Sequence, residues 1–360
     1  MRVLVVNAGS SSLKLRVLDP ADAVAAEADI DAPRAQVDED ALQAWIAGAG
    51  TVDAVGHRIV HGGERFRSAV RVDDGVVREL RALTDLAPLH QPKSLAALDA
   101  VLDALPDTPT VACFDTAFHA TLAPEATTYA VPRAWRERWG VRRYGFHGLS
   151  HAYASRRAAE LTGARRVVTA HLGAGASLAA VRDGRSVDTT MGFTPLEGLV
   201  MATRSGSVDP GLLLWLLERE RLDIAEMSAA LEHEGGLLAL AGTADMREVL
   251  ARADGGDDDD ARVALGVYLH RLRAGIAAMA AALGGLDALV FTGGVGERSA
   301  PVRAAAADGL GFLGVAVDLG RNGAPDGDAD VSADGAPVRT LVVPAREDLE
   351  IARQVRALLR

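Results

Sequence analysis

One short pattern is written twice in this chain. Val3-Leu4-Val5-Val6 runs into Asn7-Ala8-Gly9-Ser10-Ser11-Ser12 and on to a second apolar segment, Leu13 to Leu18. About half the chain later, Val167-Val168-Thr169-Ala170 runs into His171-Leu172-Gly173-Ala174-Gly175-Ala176-Ser177-Leu178, then Ala179 to Val181 and a turn at Asp183-Gly184. Apolar runs separated by Gly/Ser clusters read as strands joined by a tight turn, so each copy is a hairpin with a small, polar tip. Two such units so far apart predict duplication. The 360 residues agree, since roughly 150 residues per domain leaves room for two domains, each with its own core.

A third apolar segment, Leu286 to Phe291, delivers the backbone onto Thr292-Gly293-Gly294-Val295-Gly296-Glu297, with a helix expected from about Ser299. Helical patterns lie at about 93–105, 150–162, 210–221, 224–234, 245–253, 260–283 and 298–308. Asp209-Pro210 is an N-cap and N1 pair, and Gly163 and Gly284 are C-terminal stops. The expected class is α/β with mixed sheets. The acidic run at 254–260 reads as a solvated loop whose last aspartates favour the positive end of the following helix.

Charge excludes several functions. The chain has 38 basic against 49 acidic residues, a net charge of −11, which disfavours nucleic acid and anionic membrane surfaces. Its two lysines, Lys14 and Lys93, follow Leu and Pro, so neither completes a Walker A loop, and neither ends a protein-kinase strand of the V-A-I-K type. A nucleotide, if handled, needs another fold. Cys113 is the single cysteine, which fits a reducing compartment; with no signal-peptide core at the N-terminus, the chain reads as cytoplasmic.

Seven of the nine histidines fall between His57 and His171, interleaved with glycines and arginines in GHRIVHGGERF, PLHQP, FDTAFH, RRYGFHGLSH and HLGAGAS. His147 and His151 have i, i+4 spacing but lack the glutamate of H-E-x-x-H, so zinc hydrolysis is disfavoured. The common theme is anion handling. Gly/Ser turns present N–H groups to phosphates, and arginines supply forked donors to charge developing on a transferred phosphoryl group. Arg58 and Arg204 are the candidates, the second in a stretch, 191–210, with three glycines and two prolines.

VLVVNAGSSSLK, GHRIVHGGERF, FDTAFH, RRYGFHGLSH, HLGAGAS, VDTTMGFTPLEGLVMATRSGSVDP, FTGGVGERS and PAREDLEIAR, in this order, resemble the motif series of the acetate kinase (acetokinase) family over nearly the whole chain. The resemblance implies the fold shared by acetate and sugar kinases, hsp70 and actin: two duplicated ribonuclease H-like domains with ATP in the cleft between them. The domains would be residues 1–117 plus 348–360, and 118–347, the latter carrying the nucleotide and a homodimer interface. The implied reaction is reversible transfer of the ATP γ-phosphoryl to acetate, giving acetyl phosphate and ADP.

Carried over by motif, Asn7 and Glu347 would help hold Mg2+, or Mn2+ in its place. Ser10 and Ser12 would line the phosphate path, and Lys14 would bind the nucleotide. Arg58 and Arg204 would bracket the acetate carboxylate and the phosphoryl group, with His147 donating to its oxygens and Asp115 fixing metal-bound water or an arginine. His90 and His171 would approach the site, and Gly173, Gly175, Gly293, Gly294 and Gly296 would let the backbone close on the nucleotide. The acyl pocket would be Val60, Leu89, Phe146 and Pro195. Each added methylene is worth only ~1–3 kcal/mol there, so propionate would be a poorer but real substrate.

Two features depart from the family pattern. Ala174 stands where HLGNGAS is usual, removing a neutral donor worth ~0.5–1.5 kcal/mol, and the segment between Asp19 and Gly56 is shorter than in most relatives. The rival readings are a propionate kinase, against which Val60 argues, and a non-catalytic nucleotide-binding paralogue, which Ala174 would suit. A chaperone-type ATPase is disfavoured because only about a dozen residues follow Glu347.

Overall fold

The computed structural model describes residues 1–9, 12–31, 38–86, 91–219, 221–256 and 258–360. These form two compact units, the first of Met1–Ala120, Phe146–Tyr153 and Arg346–Arg360, the second of Thr121–Gly145 and Ala154–Ala345.

The first unit is built on a six-stranded sheet of β1 (Val3–Ala8), β2 (Ser12–Leu18), β3 (Val24–Asp31), β4 (Ala54–Ile59), β5 (Val70–Arg71) and β6 (Thr110–Phe114). Its order is β3-β2-β1-β4-β6-β5, with β1, β4 and β6 parallel and the remaining pairs antiparallel. Parallel strands are covered on both faces and so read as continuous apolar runs. In β1, Leu4 and Val6 face a core with Leu13, Leu15, Val17, Leu42 and Val101, while Val3 and Val5 face another with Val111, Cys113, Ile351 and Val355. Leu149 joins this second core, which is why Phe146–Tyr153, set in the second domain by the sequence division, packs in the first unit.

The second unit repeats the plan. Its strands are β7 (Arg166–Leu172), β8 (Ala176–Arg182), β9 (Arg185–Thr189), β10 (Ala288–Thr292), β11 (Ala329–Asp330) and β12 (Arg339–Val342), in the order β11-β12-β10-β7-β8-β9. Read from the other edge, 9-8-7-10-12-11 matches 3-2-1-4-6-5 strand for strand, with the same parallel and antiparallel pairings. Both hairpins even carry a register shift where the second strand meets the third, at Val17/Leu18 and at Ala180/Val181. The duplication read from the two Gly/Ser turns is therefore a duplication of topology, and the chain is an α/β protein of two similarly built units.

The expected helices form, at Gln91–Ala104, Gly148–Thr162, Pro210–Glu218, Ile224–Glu232, Met246–Asp254, Asp259–Leu283 and Ala300–Asp308. Asp209 caps Pro210–Glu218, Asp258 caps the long helix with Asp259 and Asp260 in its first turn, and Gly284 closes it in the left-handed conformation. The short helices Glu39–Gly48, Asp74–Ala82 and Arg133–Trp139 were not foreseen. The last buries no residue and so offers no apolar periodicity to read.

The helix Glu347–Leu358 lies on β1 and β4 through Ile351 and Val355, and Gly56 makes that approach possible. A Cβ at residue 56 would stand 2.5 Å from Ile351 Cγ2 and 2.7 Å from Val355 Cγ2. Overpacking of this kind costs roughly 1–3 kcal/mol. Gly56→Ala should lower the urea midpoint accordingly, measured by circular dichroism, and an unchanged midpoint would show that the helix is not seated on β4.

Candidate active site

Alternation along three neighbouring strands sets the first group of residues. In β1, β4 and the end of β6, the sequences Val3-x-Val5-x-Asn7, Ala54-x-Gly56-x-Arg58 and Val111-x-Cys113-x-Asp115 keep one parity. Their apolar members face the helix Glu347–Leu358, so their polar last members emerge on that face at the carboxyl ends of the strands. Glu347 opens that same helix. Carboxyl ends of parallel strands are where α/β folds place ligands.

The four side chains form one network. Arg58 Nη2 donates to Asp115 Oδ2 at 2.6 Å and Nε to both carboxylate oxygens at 3.1 and 3.2 Å. Arg58 Nη1 donates to Asn7 Oδ1 at 3.2 Å and to the Ala8 carbonyl at 3.3 Å. Asn7 Nδ2 donates to Glu347 Oε2 at 2.7 Å, and that oxygen stands 3.9 Å from Arg58 Nε. Burial opposes the charge on Arg58, but Asp115 and Glu347 outweigh it and push the guanidinium pKa up. Burial raises the Asp115 carboxyl above the usual carboxylate range, with Arg58 pulling the other way. Asp115 is thus buried and paired with Arg58.

His147 belongs to the same unit and has φ of +55°, a left-handed backbone unusual for a residue with a side chain. The next residue explains how it is held: Gly148 N donates to the Asp115 carbonyl at 2.9 Å. A Cβ on Gly148 would lie 2.1 Å from that oxygen, so only glycine permits the contact. Phe146 and Val60 are both buried. Phe146 meets the His61 ring edge-on at 5.6 Å, and His61 Nδ1 accepts from Gly63 N at 2.9 Å. Gln91 joins this support, accepting from His61 N and donating to the His61 and Leu80 carbonyls, each at 3.3 Å. In the sequence Gln91 stands in PLHQP, just before the helix expected at 93–105, and only the structure brings it into the first turn of that helix and onto His61. Lys14, opposite Asn7 in the hairpin register, is exposed. Ser10, Leu89 and His90, and the side chain of Ser12, lie outside the described residues.

The second unit collects the glycines. β7 and β10 are adjacent and parallel, with His171 opposite Thr292, so the turns Gly173–Gly175 and Gly293–Gly296 leave the same sheet edge. Glu297 Oε1 accepts from Gly293 N and from Ala345 N, each at 2.9 Å, fixing the start of the second turn. Ala174 is exposed, and its carbonyl accepts from Ala202 N at 3.1 Å. Arg204 Nη1 reaches the Pro195 carbonyl at 3.5 Å. Burial pulls the Arg204 guanidinium below its ordinary value, with Glu232 acting the other way, and among the described residues no carboxylate forms an ion pair with it. The loop carrying Pro195 is pinned by residues the sequence reading passed over. Tyr129 OH donates to Glu197 at 2.5 Å, and Arg143 binds Glu197 at 2.7 Å and the carbonyls of Thr189, Thr190 and Met191.

Among the described residues no group of three or more His, Cys, Asp or Glu side chains is arranged to hold a metal ion. At the sheet edge the Glu347 carboxylate accepts from Asn7 Nδ2 while Asn7 Oδ1 accepts from Arg58, so the protein offers few hard oxygens and no cage. That set fits Mg2+, which keeps several waters and shares its sphere with phosphates.

Residues 36–353 match the family described as the Acetokinase family. The chain is 48% identical to an acetate kinase of Leifsonia xyli subsp. xyli, over 98% of this chain and 97% of the relative, and 39% identical to one of Acetivibrio thermocellus over 100% of both. Among solved structures it is similar to Porphyromonas gingivalis acetate kinase, with a TM-score of 0.91, 35% identity and 100% of both chains covered. It is also similar to a propionate kinase from Francisella tularensis, with a TM-score of 0.90, 32% identity and 98% of both chains covered. A ROK family protein from Streptococcus pneumoniae, at 11% identity, TM-score 0.50 and 99% of both chains, shares the fold alone.

His57, next to Arg58 but of opposite parity, is fully buried, and its Nε2 has no hydrogen-bond partner among the described residues. Burial pushes its pKa from 6.5 down to about 3. Below pH 6.5 the unfolded chain takes up a proton that the folded chain refuses, so stability is lost as the pH falls from 6.5 toward 3, by about 1.4 kcal/mol per pH unit. Urea unfolding at pH 7 and pH 5 should show His57→Gln losing about 2 kcal/mol less than the unsubstituted protein. Equal losses would mean that His57 is protonated in the fold.

Proposed function

The chain belongs to the acetokinase family, and we propose that it is a cytoplasmic, Mg2+-dependent ATP:acetate phosphotransferase acting reversibly by direct in-line transfer. The observation that carries the reading is the Asn7–Arg58–Asp115–Glu347 network, built by strand parity at one sheet edge. An acceptor carboxylate is already ionised at neutral pH, so the reaction needs no general base. A carboxylate oxygen attacks the γ-phosphorus, the bond to the β,γ-bridging oxygen breaks, and that oxygen leaves with the electron pair on ADP. What the protein supplies is position and charge.

Arg58, held by Asp115, and Arg204, unpaired with any carboxylate among the described residues, bracket the acceptor carboxylate and the transferred phosphoryl group. His147 donates to the equatorial oxygens. Glu347 and Asn7 hold Mg2+, or Mn2+ in its place, which when bound neutralises phosphate charge. Gly173, Gly175, Gly293, Gly294 and Gly296, with His171 and Lys14, receive the nucleotide of ATP or ADP. Val60, Leu89, Phe146 and Pro195 enclose the methyl group, and Ser10, Ser12 and His90 complete the phosphate path.

Acyl phosphate formation from MgATP, trapped with hydroxylamine, tests the reading with acetate, propionate and butyrate in parallel. Acetate should turn over best and propionate next, at ~1–3 kcal/mol of discrimination per methylene. Arg204→Ala should lower kcat by at least about a hundredfold with ATP still bound. No acyl phosphate from any acid, with ATP binding intact, would move the reading to a non-catalytic paralogue.

The protein is proposed to be a homodimer. The helix Pro210–Glu218 buries none of its residues, and Leu212, Leu214 and Trp215 on it are exposed beside Val208 and Ile224. An apolar patch of that kind marks an interface. Leu214→Glu should halve the mass seen by sedimentation, and an unchanged mass would place the interface elsewhere.

A further inference from the structure

We propose that His119, a residue that does none of the chemistry above, is a positioning residue that locks Phe146 and His147 to the Asp115 segment. The proposal rests on the phosphotransfer reading and deepens it. Two hydrogen bonds run in opposite directions between the same two segments. Gly148 N donates to the Asp115 carbonyl at 2.9 Å, and His119 Nε2 lies 3.0 Å from the Phe146 carbonyl. A carbonyl can only accept, so the imidazole carries its proton on Nε2 and donates. The ring is buried, with edge contacts to Phe118 at 5.5 Å and to His151 at 5.8 Å, so its orientation is fixed by packing. His119 also stands on the short 3-10 turn that begins two residues after Asp115, and its own N–H returns to the Thr116 carbonyl at 3.2 Å.

The two bonds straddle His147 in the chain. One holds the peptide oxygen just before it and the other the amide just after it, with the residue between them at φ +55°. A left-handed non-glycine residue persists only when its surroundings over-determine it. With the His119 bond removed, residue 147 is free to relax toward negative φ, which swings the imidazole and the Phe146 ring away together. Both the phosphoryl donor group and the acyl wall would lose their aim from one substitution that touches neither.

The test compares His119→Ala with His119→Gln, whose side-chain amide can still donate to the Phe146 carbonyl, using the full-length enzyme with MgATP. His119→Ala should lower kcat with acetate about tenfold and raise the propionate to acetate ratio, leaving KM for ATP within about twofold. His119→Gln should recover most of the loss. Amide exchange followed by NMR adds a readout independent of turnover: the Gly148 N–H should exchange faster in His119→Ala while amides within β6 keep their protection. The proposal is overturned if Ala and Gln behave alike, if all kinetic constants move only in proportion to the folded fraction, or if Gly148 exchange is unchanged. Should the unsubstituted protein form no acyl phosphate, the phosphotransfer reading fails by itself and the exchange comparison alone decides the clamp.

Discussion

A parallel strand covered on both faces must alternate its side chains between two cores, and three adjacent strands of this protein do so in step. Val5, Gly56 and Val111 lie in one row across β1, β4 and β6; two residues further along, the chain places Asn7 and Arg58, and Asp115, of the same parity, follows four residues after Val111 just beyond the end of β6. The core below and the polar edge above are therefore one periodic pattern, apolar until the carboxyl end and charged at it. The C-terminal helix completes the arrangement, because the face that buries Ile351 and Val355 over Gly56 brings Glu347 at its start to Asn7.

The electrostatics follow from that placement. A buried guanidinium is tolerable only when paired and hydrogen-bonded, and Arg58 has both from Asp115, with Asn7 and the Ala8 carbonyl taking further donors. Little reorganisation is left for the moment a ligand arrives. The second unit differs at the corresponding edge, with glycine turns at the ends of β7 and β10 where the first unit has charged side chains. His171 and Asn7 stand at corresponding places in the two hairpins, one per copy. Duplication supplied two similar edges, and sequence divergence gave one side-chain chemistry and the other backbone chemistry.

Much of this was legible in the sequence because it is local. The paired hairpins, the strand before Gly293, the caps Asp209 and Asp258 and the stop at Gly284 are all carried by neighbouring residues. Arg58, Asp115, Asn7 and Glu347 were legible as motif members, but their mutual contacts were not, since the Asn7–Glu347 bond joins residues 340 positions apart. Parity could have revealed part of it: the three x-alternating triplets point their polar members to one face as soon as the strand order is known. His119, Gln91 and the Tyr129–Glu197–Arg143 group stayed hidden for another reason. His119 and Gln91 stand in quoted motifs, but their partners are distant backbone groups, and the Tyr129–Glu197–Arg143 group joins side chains far apart in the chain, which no local pattern shows.

The same alternation has an evolutionary corollary. A single-residue insertion inside β4 would exchange the roles of His57 and Arg58, turning the guanidinium into the core and the neutral imidazole to the edge, so length there is held as strictly as a reading frame. β3 carries no such constraint. It is the outermost strand of its sheet, separated from β4 by β2 and β1, and among the described residues of the connection from it to β4 none joins the polar network of Asn7, Arg58, Asp115 and Glu347. Deletions that shorten the chain between residue 19 and the start of β4 fall away from the Asn7–Arg58–Asp115–Glu347 network.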